Sequence, residues 1–369
     1  MITRFVGNSP KTVPTFCDFC NGMTKKLTEF SKASGCGCKI QPAVLQQMLQ
    51  GMTLQAGATP GLVHGNAGGD DCSVFDLGNG QLLLQTVDFF TPLLDDPFDF
   101  GRAAAANALS DIWAMGGKPV MANAVMGWPV DVLGVDAARA VMLGAMQVCT
   151  EAGVALAGGH TIELQEPIFG LSVTGLVDAG NLKTNAGAKA GDKLILTKGL
   201  GVGMLAAALK RGMGTAADLA SLTDSLTQTN AVGKVLGGIP GVHAMTDVTG
   251  FGLAGHLLEI CRASGVAARV HALALPKIVE AEAWAASFVL PDNAMRNWNA
   301  FEGEVEMGDA GAFPWLVDPQ TSGGLLISVG ELALSEVEAA LRAASVHYTI
   351  IGEMVDTASL PDGKLLSVI

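Results

Sequence analysis

The segment Gly35-Cys36-Gly37-Cys38-Lys39 sets two thiols and an ammonium side by side between glycines. Glycines let a backbone approach a ligand closely. A neighbouring Lys favours the thiolate, the reactive form of Cys. Such a segment suits sulfur or selenium chemistry beside an anion, although Cys and Gly also cluster in metal loops. Asp71, Asp111 and Asp247 are candidate metal ligands, because Mg²⁺ takes hard oxygen donors and bridges carboxylates to phosphates. Each lies beside a glycine-rich or turn-forming stretch. Asn107 precedes Asp111 by one turn of a predicted helix, so the two share a face. Any one such Asp, taken alone, is more often a helix cap or a solvated surface group.

Other residues carry weaker signals. Asp88 ends a predicted strand, a common place for ligand contacts and equally for a turn. Gly158-Gly159-His160-Thr161 reads as a turn that could offer backbone N–H groups and a hydroxyl to phosphate, or as a packing turn. Gly199-x-Gly201-x-Gly203 follows a strand and opens a helix, like a dinucleotide fingerprint, but its third glycine comes one residue early. A packing turn is the preferred reading. Cys17-x-x-Cys20 is half a thiolate metal site or a redox pair, and Cys36 and Cys38 could complete four ligands, but without ribbon-like spacing in the second half an incidental exposed pair is the preferred reading. Cys72, Cys149 and Cys261 sit in apolar contexts and read as core thiols. Walker A and protein-kinase segments are absent from the sequence, so any ATP site here belongs to a different fold.

The elements that must position these groups alternate between strand and helix. Residues 1–34 read as an irregular, flexible arm. A helix is expected over Ala43–Met52 after Pro42. Val74-Phe75 and Gln81–Val87 form a hairpin around Gly78-Asn79-Gly80. Phe98–Met115 reads as a helix stopped by Gly116-Gly117. Then come a strand at Val120–Met126, a helix at Asp136–Glu151, and strands at Val154–Ala157 and Ile168–Val177. The polar stretch Asn181–Gly191 marks a domain boundary. The second half restarts with a strand at Lys193–Thr197, and Thr215-x-x-Asp218 is a capping-box start for a helical stretch reaching Val235. A helix after Gly252, a strand at Gly324–Val329, a helix at Ser335–Ala344 and a strand at Val346–Ile351 follow. The pattern predicts a two-domain α/β or α+β protein.

Composition narrows the classes. Of 369 residues, 49% are hydrophobic and 15% charged, which supplies ample core and argues against disorder. The net charge of −13 disfavours nucleic-acid binding, which needs Lys and Arg surfaces. An acidic enzyme can still hold a nucleotide through metal ions. Asn8, Ser9, Pro10 and Lys11 interrupt any leader-like run after Met1, and no uninterrupted apolar run reaches the ~18 residues of a membrane span. With an odd number of cysteines, a cytoplasmic chain with reduced thiols is expected.

Taken together, these segments resemble the selenophosphate synthetase (selenide, water dikinase) family, within the wider aminoimidazole ribonucleotide synthetase group. The matching stretches are Gly35–Lys39, Asp70-Asp71, Thr86–Phe90, Asp95–Gly101, Asn107–Asp111, Met115–Pro119, Ala157–His160, Met245–Gly252 and Asp318–Gly324. They run in family order from about residue 30 onward, and residues 1–30 are not covered. The resemblance implies a reaction in which ATP, selenide and water give selenophosphate, AMP and phosphate. It implies that Cys36 handles selenium and that Lys39 is the essential lysine near the phosphates. Asp71, Asp111 and Asp247 would be magnesium ligands for more than one Mg²⁺. Asp88, Asn107 and Gly159-His160-Thr161 would contact the nucleotide, and Gly68-Gly69-Asp70 would belong to a loop that reaches ATP. The implied fold is a two-domain synthetase whose N-terminal strands build a barrel across a homodimer. Residues 35–180 would be the ATP, magnesium and dimerisation domain and 190–369 the C-terminal α/β domain. A selenium-delivery protein is a possible partner.

Three rivals are set against this. A thiamine-phosphate kinase or purine-pathway synthetase needs no thiol loop. A thiolate metal or selenium carrier would use Cys17, Cys20, Cys36 and Cys38. An NAD-dependent oxidoreductase would use Gly199–Gly203.

Overall fold

The computed structural model describes residues 26–31, 35, 37, 39–40, 42–48, 50–51, 59–65 and 69–369. The assignments made to Cys17, Cys20, Cys36, Cys38 and Gly68 lie outside the described residues.

Among the described residues, the first half folds around a six-stranded sheet. Its strands are β1 (Leu62–His64), β2 (Ser73–Asp76), β3 (Gln81–Phe90), β4 (Lys118–Trp128), β5 (Ala155–Glu163) and β6 (Ile168–Asp178). Their order across the sheet is β1-β2-β3-β6-β4-β5, antiparallel except for β4 beside β5. The β2–β3 hairpin turns through Gly78 and Gly80, both at positive φ, as expected of that turn. Burial alternates along β3: Leu82, Leu84, Thr86 and Phe90 are covered, while Val87 and Phe89 on the other face are 56% and 45% exposed. One face of this sheet is therefore packed and the other is open.

A short helix, α1 (Pro42–Met48), precedes the sheet, stopping earlier than the expected Met52. Helices α2 (Pro97–Ala114) and α3 (Val130–Glu151) cover the packed face. Asp96 caps α2 by accepting from Asp99 N, with Pro97 in the first turn. The two helices approach closely because each has a glycine at the crossing. A Cβ on Gly101 would lie 1.9 Å from Val141 O, and one on Gly144 would lie 2.0 Å from Phe98 O. By length and composition α3 could cross a bilayer. However, Asp131, Asp136 and Arg139 interrupt it, Gly134 breaks its helical geometry, and Leu133, Ala137, Val141, Ala145 and Val148 form a buried stripe. That spacing is the core face of an amphipathic helix.

The second half carries β7 (Lys193–Leu196), β8 (Val242–Asp247), β9 (Ala267–Val270), β10 (Val305–Met307), β11 (Leu325–Val329), β12 (Thr349–Val355) and β13 (Leu366–Val368). They form one sheet ordered β10-β13-β9-β12-β7-β11-β8. Its first four helices are α4 (Val202–Lys210), α5 (Ala216–Thr227), α6 (Gly233–Gly237) and α7 (Gly252–Ser264). Thr215 and Asp218 form the expected capping box on α5. The single helical stretch expected to run to Val235 is instead α5 and α6 separated by residues 228–232. Helix α2 joins the two halves. It packs on β3 and β6 of the first sheet and also on α5 and β8, which explains its burial nearly all round.

Two further expectations are corrected. Gly158–Thr161 is not a turn: β5 runs straight through it, paired in parallel with β4. The expected arm is also built in at its end. Leu27–Phe30 forms a 3₁₀ turn with Leu27 fully buried, and Thr28 donates from N (3.1 Å) and Oγ1 (2.7 Å) to Asp95 Oδ1.

Candidate active site

Three carboxylates meet where the two halves join. Asp71 comes from the approach to β2, Asp111 from α2, and Asp247 from the last position of β8. One oxygen from each lies within 4.8 Å of the others. Thr246 Oγ1 donates to Asp71 Oδ1 at 2.9 Å, and Thr86 Oγ1 donates to Asp111 Oδ2 at 2.5 Å. Asp247 is buried, and its Oδ2 finds no hydrogen-bond partner among the described residues. A buried carboxylate oxygen without a donor is costly, so this atom suits coordination of a cation.

The electrostatics agree. Burial first, then the charges of Asp247 and Asp111, holds the Asp71 carboxyl well above the usual range. Asp111 is likewise raised well above it by burial, then by Asp247 and Asp88. Burial also raises Asp247, with Ser110, His256 and Lys39 opposing. Like charges this close resist joint ionisation, and a divalent cation removes the conflict. Cys72, beside the cluster, is pushed up by burial and the same carboxylates, so it is a core thiol and not a nucleophile. Cys149 and Cys261 are buried too, with burial raising them to about 11 and about 12.

A second group adjoins the first through α2. Asn107 lies one turn before Asp111; its Nδ2 donates to Asp88 Oδ2, and its Oδ1 accepts from Ser322 N at 2.7 Å. Lys39 Nζ lies 4.0 Å from Asp88 Oδ2. Lys39 thus reaches Asp88, which does not end its strand as expected but lies two residues before the end of β3, because β3 stays paired with β6 through Phe90. Gly35 anchors the start of that loop: its N donates to Thr91 O at 3.1 Å, its φ is +55°, and a Cβ there would meet Thr321 Oγ1 at 2.5 Å. Only glycine suits that backbone and that space.

Asp70 turns the other way. Its carboxylate accepts from Asn185 N at 2.9 Å and pairs with His64 Nδ1 at 3.1 Å, while Gly69 O accepts from Asn185 Nδ2. Gly159, His160 and Thr161 lie on the exposed edge strand β5, separated from β3 by β4 and β6, so one chain does not bring them to the carboxylates. Gly199–Gly203 is a packing turn. Gly203 N donates to Asp318 Oδ2 at 3.0 Å, and a Cβ on Gly203 would lie 2.5 Å from Asp318 Oδ1. That internal carboxylate occupies the start of α4, where a pyrophosphate would sit in a dinucleotide fold. Sequence reasoning missed Thr86, Thr246 and Ser322 as individual groups, although each lies inside a matching stretch.

The two halves fit a known class. Residues 69–177 match the N-terminal domain, and residues 189–360 the C-terminal domain, of the AIR synthase related proteins. The chain is 46% identical over 329 residues to the selenide, water dikinase of Aeromonas hydrophila, covering 89% of this chain and 95% of that one. Against the Burkholderia pseudomallei selenide, water dikinase the identity is 47% over 341 residues, covering 91% and 96%. The chain belongs to the selenide, water dikinase family. Among solved structures, a thiamine-monophosphate kinase from Stenotrophomonas maltophilia shares the fold, with a TM-score of 0.62 at 21% identity, covering 88% of this chain and 95% of that one.

Proposed function

We propose that this chain makes selenophosphate from ATP, selenide and water, releasing AMP and phosphate, and so supplies activated selenium for selenocysteine and selenouridine. Beside the family membership, one observation carries the reading: Asp71, Asp111 and Asp247 converge with one buried oxygen of Asp247 unsatisfied. The donor set is all hard oxygen and fits Mg²⁺, more than one ion being needed for a polyphosphate. When bound, the metal supplies charge neutralisation and orientation of phosphate oxygens.

The chain's own residues do the rest. Asp88 and Asn107 hold each other beside Lys39 and would orient the nucleotide. Phosphoryl transfer depends mainly on positioning and on cations placed near the phosphates. Lys39 would offset the repulsion between anionic selenide and the γ-phosphate. Cys36, three residues before it, would hold selenium, and closure of its loop would exclude water from the first transfer. Gly68-Gly69-Asp70 would approach the nucleotide through its backbone, since the Asp70 carboxylate is held by Asn185 and His64.

The enzyme would act as a homodimer. The open face of the first sheet carries exposed Val87, Phe89 and Met121, and pairing two such sheets into a barrel covers both the apolar face and the β5 edge. That pairing is also the route by which Gly159, His160 and Thr161 would reach a nucleotide. We place the enzyme in the cytoplasm, with selenide supplied free or by a delivery protein. The test is chromatography of nucleotides after incubation with MgATP. AMP should form only when anaerobic selenide is present. AMP formed without selenide, or no AMP from folded protein, would refute the reading.

A further inference from the structure

Lys198 is a buried lysine outside the carboxylate cluster, and its surroundings are unusual. It follows β7 and is 6% exposed. Its ammonium makes no ion pair among the described residues. Instead Nζ donates to Ser322 O at 2.5 Å, to Gln228 O at 2.6 Å, and more weakly to Ser225 O and Ser322 Oγ at 3.4 Å. Gln228 and Ser225 lie at the C-terminal end of α5, where free carbonyls and the helix dipole favour a cation. Burial lowers the Lys198 pKa to about 7. A methionine would fill the same volume without that desolvation, so packing alone does not account for a lysine here.

What Lys198 grips is informative. Ser322 is one of three non-glycine residues at positive φ (+49°) among the described residues, a conformation that persists only when its surroundings impose it. Its carbonyl is on Lys198 and its N–H is on Asn107 Oδ1. That bond fixes which end of the Asn107 amide faces Asp88. The next residue is braced as well, since Asn230 Nδ2 donates to Gly323 O and to Ser110 Oγ, both at 2.8 Å.

We infer that Lys198 is a positioning residue for nucleotide binding: by holding Ser322 it sets the orientation of Asn107 and, through it, of Asp88 beside Lys39. This rests on the proposed nucleotide site. The test uses the full chain with Lys198→Met and Lys198→Gln, each alone and combined with Asn107→Ala. MgATP binding by calorimetry, KM and kcat for ATP, and thermal unfolding are measured together. Lys198→Met should weaken MgATP binding and raise KM by about tenfold, the scale of one well-formed interaction, with a smaller change in kcat. Lys198→Gln, which can still donate to Ser322 O, should recover part of the loss, and it carries the test if the Met variant does not fold. In the Asn107→Ala background the Lys198 effect should largely vanish. Wild-type-like MgATP binding by Lys198→Met, or losses that simply add to those of Asn107→Ala, would overturn the inference alone. Failure of the wild-type chain to bind MgATP would overturn the nucleotide site and this inference with it.

Discussion

The carboxylates Asp71, Asp111 and Asp247 crowd one another, and this makes the proposed metal site testable without substrate. All three are raised above the unfolded value of about 3.9. Above that value the unfolded chain binds fewer protons than the folded one, so this cluster's contribution to stability falls as pH rises. Metal-free protein should lose more stability between about pH 5 and about pH 7.5 than an Asp247→Asn variant does, and Mg²⁺ should raise the melting temperature more at the higher pH. Equal Mg²⁺ stabilisation at both pH values would count against a metal site. Asp247→Asn should also stabilise the metal-free protein at neutral pH, by about 1–3 kcal/mol in urea unfolding, while abolishing the Mg²⁺ effect. A loss of metal-free stability would show that the buried carboxylate is structural. The three residues were legible in the sequence, each beside a turn-forming stretch. Their convergence was not, because it depends on a helix from one half packing on a strand from the other. Lys198 gave no signal at all: a lysine after a strand looks like any solvated strand end.

At the scale of elements, α2 does the joining. It carries Asn107 and Asp111 on one face and meets the first sheet, α3, α5 and β8. Its approach to α3 depends on Gly101 and Gly144. Gly101→Ala gains about 1 kcal/mol of helix propensity, but its Cβ would lie 1.9 Å from Val141 O. The clash outweighs the gain, and a net loss of about 1–3 kcal/mol is expected by chemical denaturation. Unchanged or increased stability would mean that the helices can part without cost. Most strands and helices were legible because capping residues, the Gly78–Gly80 turn and apolar periodicity act locally. Gly158-Gly159 misled for a physical reason. Paired glycines usually break strands, but Gly159 has β4 backbone where a side chain would be: a Cβ there would lie 2.3 Å from Ala124 O. Glycine serves close strand approach at that position, and pairing partners distant in sequence cannot be read from a local stretch.

For the whole molecule, the open face of the first sheet and the exposed edge strand β5 are the surfaces the proposed dimer would cover. Wild-type protein should sediment as a dimer, and Val87→Asp with Phe89→Asp should give a folded monomer with weakened MgATP binding. A wild-type monomer that turns over normally would remove the dimer from the mechanism. Two-domain alternation was legible from the strand and helix order, whereas an open sheet face is visible only once burial is known. Phosphorus NMR of the protein with ATP, Mg²⁺ and anaerobic selenide reads the reaction itself. The expected result is a selenophosphate resonance growing with AMP and phosphate, absent in Cys36→Ala and in Asp71→Ala. ATP left intact by folded, magnesium-loaded wild-type protein would contradict it.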